Sequence, residues 1–220
     1  MSAIIKQNNL AYISAPKCAC TSIKEILFRL ENNCNFNKVR DEKSAICLQI
    51  NGERRYIHSF YPTIPYSQQP HGLISQLNAF CVVRDPRERI VSCYRNRVLR
   101  YGAINSEILE KLNINAPKNP DINEFIAYLD EYSKINEIRH HTLPLWHFLG
   151  ENPDQYHRIF NFSNLQELPY YLKNFFKKVV KLSHLQASEN FQQKTSPQSI
   201  KTIESIYEKD YKIFGNFLDA

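Results

Sequence analysis

Hydrophobic positions along the chain fall into two kinds of pattern. Leu10–Ala15 (LAYISA) and Ala79–Val83 (AFCVV) are short, mostly apolar runs, and Tyr156–Phe162 (YHRIFNF) reads as another strand. Runs of this length, with little alternation, suit strands covered on both faces, as in a parallel sheet. Elsewhere apolar residues recur every three or four positions: Ile23, Ile26, Leu27 and Leu30; Ile90, Val91, Tyr94 and Val98; Ile200, Ile203, Tyr207, Tyr211 and Phe214. These spacings predict amphipathic helices. Local signals place their ends. Asp85 caps the second helix with Pro86 in its first position, and Gly102 closes it near Tyr101. Asp121 caps a helix over INEFIAYLDEYS, another covers Asn164–Phe176 around Pro169, and Ser196-Pro197 opens a last helix that runs to Gly215. Ala45–Ile50 and Arg54–Ser59 flank Asn51-Gly52, which predicts a hairpin. Asn32–Ser44 and Asn105–Pro120 read as irregular, and Pro62, Pro65 and Pro70 punctuate a loop ending near Gly72.

Strands alternating with helices predict an α/β fold with a mostly parallel sheet, which binds ligands at the carboxyl ends of its strands. At 220 residues the chain is long enough for a sizeable core, and one domain over residues 1–220 is expected. With 13 Tyr and 13 Phe, the composition favours a filled core over disorder. The net charge of +6 suits an anionic ligand. The six Cys show no C-x-x-C spacing, which favours reduced thiols over a disulfide framework or a zinc site. No leader pattern and no stretch of membrane-spanning length is present, so a soluble, cytoplasmic protein with no integral membrane segment is expected.

Candidate chemistry concentrates at two strand-to-helix turns, PKCACTS at 16–22 and VRDPRERIVSCYR at 83–95. Each sets cationic or hydroxyl groups, and the free N–H groups of a helix start, where a sheet of this kind binds phosphate. The first turn has no glycine, and its lysine precedes the small residues, so it is not a G-x-x-x-x-G-K-[ST] loop.

PKCACTSIK resembles the loop by which sulfotransferases bind the 5′-phosphosulfate of 3′-phosphoadenosine 5′-phosphosulfate (PAPS). VVRDPRERIVSCYRNR resembles their 3′-phosphate-binding strand and helix, most closely in the carbohydrate sulfotransferase (family 2) branch. HHTLPL resembles that branch's H-W-x-P-Q segment, with Thr142 for Trp and Leu145 for Gln. IYEKDYKIFGN resembles its closing Y-x-x-D-Y-x-hydrophobic-F-G element. The resemblance spans both ends of the chain in the expected order. It implies a three-layer sandwich of the P-loop-NTPase-like sulfotransferase type.

The same resemblance implies roles for single residues. Lys17 would sit at the bridging oxygen between phosphate and sulfur, where charge builds as the S–O bond breaks. Cys18, Ala19, Cys20, Thr21 and Ser22 would offer backbone N–H groups, the last two also hydroxyls. Arg84 would fork onto the 3′-phosphate, with Ser92 donating a hydroxyl. A plain ion pair of Arg84 with Asp85 or Glu88 competes with that role. Where Ile23 stands the family often has an aromatic that packs on adenine, so stacking here must be weaker or come from elsewhere. His58, at the end of the predicted strand YIHSF, is the candidate base for the acceptor hydroxyl. His71, His140, His141 and Glu53 are runners-up. Lys194, in the loop before the last helix, is a further candidate nucleotide contact, and Arg139 with the two adjacent histidines would shape the acceptor side or the sheet edge.

The expectation is therefore an enzyme that moves the sulfuryl group from PAPS to a hydroxyl of a carbohydrate or glycoconjugate, without a metal, and that binds no nucleic acid. A nucleotide-dependent kinase of related fold is the enzyme alternative. A polyanion- or RNA-binding module is the other, although Lys and Arg are spread along the chain where such a module would cluster them.

Overall fold

The structure, a computed structural model, describes residues 2–33, 38–40, 46–50, 53–178 and 194–218. Its strands are β1 (Ala3–Ile5), β2 (Leu10–Ile13), β3 (Lys38–Arg40), β4 (Ile46–Ile50), β5 (Glu53–Tyr56), β6 (Asn78–Val83) and β7 (Arg158–Asn161). Its α-helices are α1 (Cys20–Asn32), α2 (Ile57–Phe60), α3 (His71–Ile74), α4 (Pro86–Cys93), α5 (Ser106–Lys111), α6 (Ile122–Ala127), α7 (Leu129–Tyr132), α8 (Asn136–Thr142), α9 (Leu145–Leu149), α10 (Leu168–Phe176), α11 (Pro197–Ile206) and α12 (Glu208–Leu218).

The main sheet has the order β1-β2-β6-β7. β2, β6 and β7 run parallel, and β1 is antiparallel at one edge. The fold is thus α/β, a mixed and mostly parallel sheet flanked by helices, as the apolar runs predict. Every residue of β2 is buried, and so is β6 from Ala79 onward. Aromatic rings knit neighbouring strands and α10: Tyr12 stacks on Phe80 at 4.9 Å, and Phe80 meets Tyr171 of α10 and Phe160 of β7 edge-on at 5.4 and 6.0 Å. One apolar core lies around this sheet; a second fills the space among α4, α6, α7, α8 and α11. Because β2 and β6 are adjacent and parallel, with Ile13 opposite Cys81, they end side by side, and the two turns singled out from the sequence emerge together.

Several expectations need correction. β5 ends at Tyr56, and the predicted strand through Ser59 becomes the helical turn α2. The reason is packing. Ile57, Phe60 and Tyr61 share a face at helical spacing, and Phe60 and Tyr61 meet Phe28 of α1 at 4.8 and 6.3 Å. β4 and β5 do pair antiparallel with Ile50 opposite Glu53, while the Asn51-Gly52 turn itself lies outside the described residues. β1, β3 and α5 were not predicted; the first two are three residues each, too short to show a period. The last helix breaks at Tyr207, where ψ reaches 20°, and continues through Gly215 to Leu218. Beyond Cys93 the second helix widens into a π-helix over Tyr94–Arg100 before Gly102, at φ +61°, turns the chain. Asp85, Asp121 and Ser196 cap as expected, Asp121 within a full capping box with Glu124.

A buried polar node ties the distant motifs together. Arg89, 1% exposed, donates to the Pro16 carbonyl (3.3 Å) and the Leu143 carbonyl (2.8 Å), and its Nη1 lies 3.8 Å from Asp210. Asp210, fully buried, accepts from the backbone N–H groups of Leu145 and Trp146 at 2.7 and 3.0 Å and so caps α9. The Tyr207 hydroxyl donates to the Thr142 carbonyl. The segments around residues 16, 89, 142 and 210 are therefore parts of one framework.

Candidate active site

The β2–α1 turn is held by unusual backbone. Lys17 and Ala19 both take left-handed conformations, φ +64° and +56°, without a glycine. Among the described residues no side chain caps α1, so the N-terminal N–H groups of this 13-residue helix lack the partner a cap residue would supply. With the helix dipole behind them, they face the end of the sheet as an anion site. Cys18 turns inward: its thiol is buried, contacts the Pro16 carbonyl at 3.5 Å, and is pushed up to about 12 by burial. It contributes backbone, not a reactive thiol. Ile23 is fully buried in the core and offers no face to a purine.

Lys17 extends from this turn to Asn96 of the π-helix, donating to its Oδ1 at 2.5 Å. Burial lowers the Lys17 pKa to about 8; Arg97 and Arg84 push the same way, opposed by Cys93 and Cys20. Arg84, at the end of β6, donates to the Lys17 carbonyl at 3.4 Å, pairs with Glu88 at 2.9 Å, and lies over the Phe162 ring at 4.0 Å. The Glu88 pair that competes with phosphate binding therefore forms in this structure, yet Arg84 still bridges the two turns. Ser92 sits two turns along α4, and its hydroxyl has no hydrogen-bond partner among the described residues.

His58, carried by α2, faces the same turn. Its Nε2 lies 3.1 Å from Thr21 Oγ1 and its Nδ1 lies 3.3 Å from Lys24 Nζ. Although the ring keeps an exposed edge, the protein around it and then the charges of Lys24, His140 and Arg97 hold its pKa below the ordinary imidazole value. Lys24 is fully buried and donates to Thr63 Oγ1 at 2.6 Å, which in turn shares a hydrogen bond with Ser14 at 2.9 Å. Burial brings Lys24 down to about 8.

The other histidines separate by their partners. His141 donates from Nδ1 to the Glu137 carbonyl (2.7 Å), and its Nε2 faces Arg97 Nη2 (3.0 Å). Burial, then Lys17 and Arg97, push its pKa to about 2. With both nitrogens committed it holds Arg97, which also pairs with Glu137. His140 is half-buried and feels Lys24, Arg97, His147 and Lys17. His71 is exposed on α3 against the Tyr66 ring at 4.3 Å. Arg139 is exposed on α8, and the Glu53 side chain lies outside what is described. Lys194 is exposed beside α6, its carbonyl accepting from Asn123 at 3.4 Å. None of its contacts brings it to Lys17 or Arg84.

The structure thus gathers Lys17, Ala19, Cys20, Thr21, Arg84 and His58 around one turn. Sequence reasoning passed over Lys24, Asn96, Arg97 and Thr63. Lys24 carries no local signal: beside Ile23 it reads as the polar edge of the apolar stripe, and only its contacts with Thr63 and His58 show otherwise. Nothing local marks Asn96 or Arg97, because the π-helix shifts them off α-helical period.

No curated protein and no solved structure matches the chain. A family model described as "Sulfotransferase family" matches residues 2–217. With nearly the whole chain covered by that match, and a cationic, glycine-free turn at the head of its parallel sheet, the chain belongs to the sulfotransferase family.

Proposed function

We propose that the sulfuryl donor is PAPS and the acceptor a carbohydrate hydroxyl, with 3′,5′-bisphosphoadenosine as the second product. The single observation that carries this reading is the Arg84–Lys17 bridge, which joins the two motif turns at the open N-terminus of α1. A nucleotide with phosphate at both ends of its ribose needs two neighbouring cationic grips, and these residues supply them. As the acceptor oxygen bonds to sulfur, the bond from sulfur to the bridging oxygen breaks and its electron pair stays on the phosphate. Lys17 offsets that charge together with the N–H groups of residues 20–22. His58 Nε2 takes the acceptor proton. Arg84 and Ser92 hold the 3′-phosphate. The carbohydrate class rests on the resemblance of the VRDPRERIVSCYR segment to the carbohydrate branch.

Transfer of radiolabelled sulfuryl from PAPS to a panel of sugars tests this. Lys17→Ala should lower the rate by a factor on the order of 10²–10³. Arg84→Ala should mainly raise the KM for PAPS. Full activity in both variants rejects the assignment.

A further inference from the structure

Resting on His58 as the base, we propose that Lys24 is its positioning residue: the protonation state of the buried Lys24 amine decides whether His58 can adopt the basic tautomer, and the amine takes the Nδ1 proton as Nε2 takes up the acceptor's. A neutral imidazole has one N–H and one lone pair. The Lys24 contact at Nδ1 and the Thr21 contact at Nε2 therefore tie the tautomer to the charge on Lys24. With Lys24 as ammonium, Nδ1 must accept from it, and Nε2 carries the hydrogen and donates to Thr21. In that state no lone pair faces the α1 turn, and the ring cannot take a proton from an acceptor there. With Lys24 as neutral amine, its Nζ lone pair becomes free to accept from Nδ1–H, and in that arrangement the Nε2 lone pair turns toward Thr21 and the turn beyond. Only this second arrangement is a base.

The surroundings fix the direction of the pair. Lys24 is fully buried, its other hydrogen bond among the described residues goes to Thr63 Oγ1 at 2.6 Å, and Thr63 leans on Ser14, itself 1% exposed. Nδ1 therefore faces inward and Nε2 outward to the anion-binding turn. The proton balance closes within the pair. The acceptor O–H proton passes to Nε2 as its oxygen bonds to sulfur, and the Nδ1 proton passes to the Lys24 amine. That leaves neutral His58 and an ammonium, which returns its proton to solvent before the next turnover. The charged and titratable groups around the pair are Cys20 on α1, His140 on α8 and Arg97 on the π-helix. Burial first, and then His140 and Arg97, disfavour an imidazolium, which keeps the single exchangeable proton on Lys24.

Two measurements test this. The first is the ¹⁵N–¹H spectrum of histidine-labelled protein from pH 6.5 to 9.5, with the His58 signal identified by its loss in His58→Asn. His58 should pass from the Nε2–H to the Nδ1–H tautomer near pH 8 with no imidazolium stage. A fixed tautomer, or an ordinary imidazolium titration, overturns the proposal. This needs neither donor nor acceptor, so it fails independently of sulfuryl transfer. The second is the pH–rate profile of Lys24 variants, with retained bisphosphoadenosine binding as the check on folding. Lys24→Arg keeps the charge and locks Nε2–H; kcat should fall on the order of 10²–10⁴-fold across pH 7–9. Lys24→Gln removes the charge and lets an amide oxygen accept from Nδ1–H. It should lose the rise in rate near pH 8 and stay at least tenfold faster than Lys24→Arg. A purely structural lysine gives the reverse order, with arginine the milder change. If neither variant folds, the tautomer spectrum alone decides.

Discussion

Lys17 shows how a single side chain can be set for its work by what surrounds it. Free of ligand, it is lowered to about 8, first by burial. A phosphate or sulfuryl oxygen in contact with it favours its charged form, so binding should be accompanied by proton uptake near and above pH 8. The sign follows from linkage: below pH 8 Lys17 is already an ammonium and affinity is flat, while above pH 8 the neutral amine must first gain a proton. Bisphosphoadenosine affinity should therefore weaken above pH 8, by up to about tenfold per pH unit, as measured by calorimetry. In Lys17→Arg, which stays charged, affinity should remain level to pH 9.5; a level profile in the unsubstituted protein would show that Lys17 does not touch the anion. Lys17 and Arg84 were legible in the sequence because each ends an apolar run of strand length. Lys24 was not read, since a lysine one step from Ile23 looks like the polar edge of an amphipathic helix. Only the tertiary contact with Thr63 and His58 reveals that it is buried.

At the scale of elements, β2–α1 is the unit that the sequence describes best and the one whose backbone is least ordinary. Ala19 pays a left-handed penalty of roughly 1–2 kcal/mol for its Cβ, and Lys17 a similar one. Ala19→Gly should relieve the strain at 19, partly offset by the greater freedom of glycine in the unfolded chain. The net gain should be on the order of 1 kcal/mol in denaturant unfolding. A loss of stability would show that the Ala19 methyl is held by packing. The α2 turn illustrates the opposite case. RRYIHS has the β-branched and aromatic content of a strand, and the hairpin pairing does begin as one. Yet Ile57, Phe60 and Tyr61 also fit a helical turn, and the Phe28 ring against which they close decides between the two readings. His58 occupies its place because of that decision.

Across the molecule, the candidate site stands on the Arg89–Asp210 node. Arg89 reaches the Pro16 carbonyl just before the anion-binding turn, and Asp210 caps α9 from residues almost at the other end of the chain. Cutting one member of a buried charged pair strands the other. Asp210→Ala should therefore cost about 3–5 kcal/mol, read from the denaturant midpoint, and lower nucleotide affinity along with it. A cost under about 1 kcal/mol would mean that the node is dispensable. The parallel strands and the longer helices could be read from periodicity and end signals, but this node could not. RDPRER, HHTLPL and IYEKDY each carry polar residues whose partners lie 50 or more positions away, as in Arg89–Leu143 and Tyr207–Thr142.

The widened stretch Tyr94–Arg100 has a consequence for tracing kinship. Its looser winding accommodates more residues for each turn than an ordinary helix. A relative whose helix stays regular there would present Lys17's partner from a position shifted along its own chain. Counting forward from Arg84 at fixed offsets would then select the wrong residue. Correspondence past Cys93 belongs to superposed backbones, with Lys17 as the landmark.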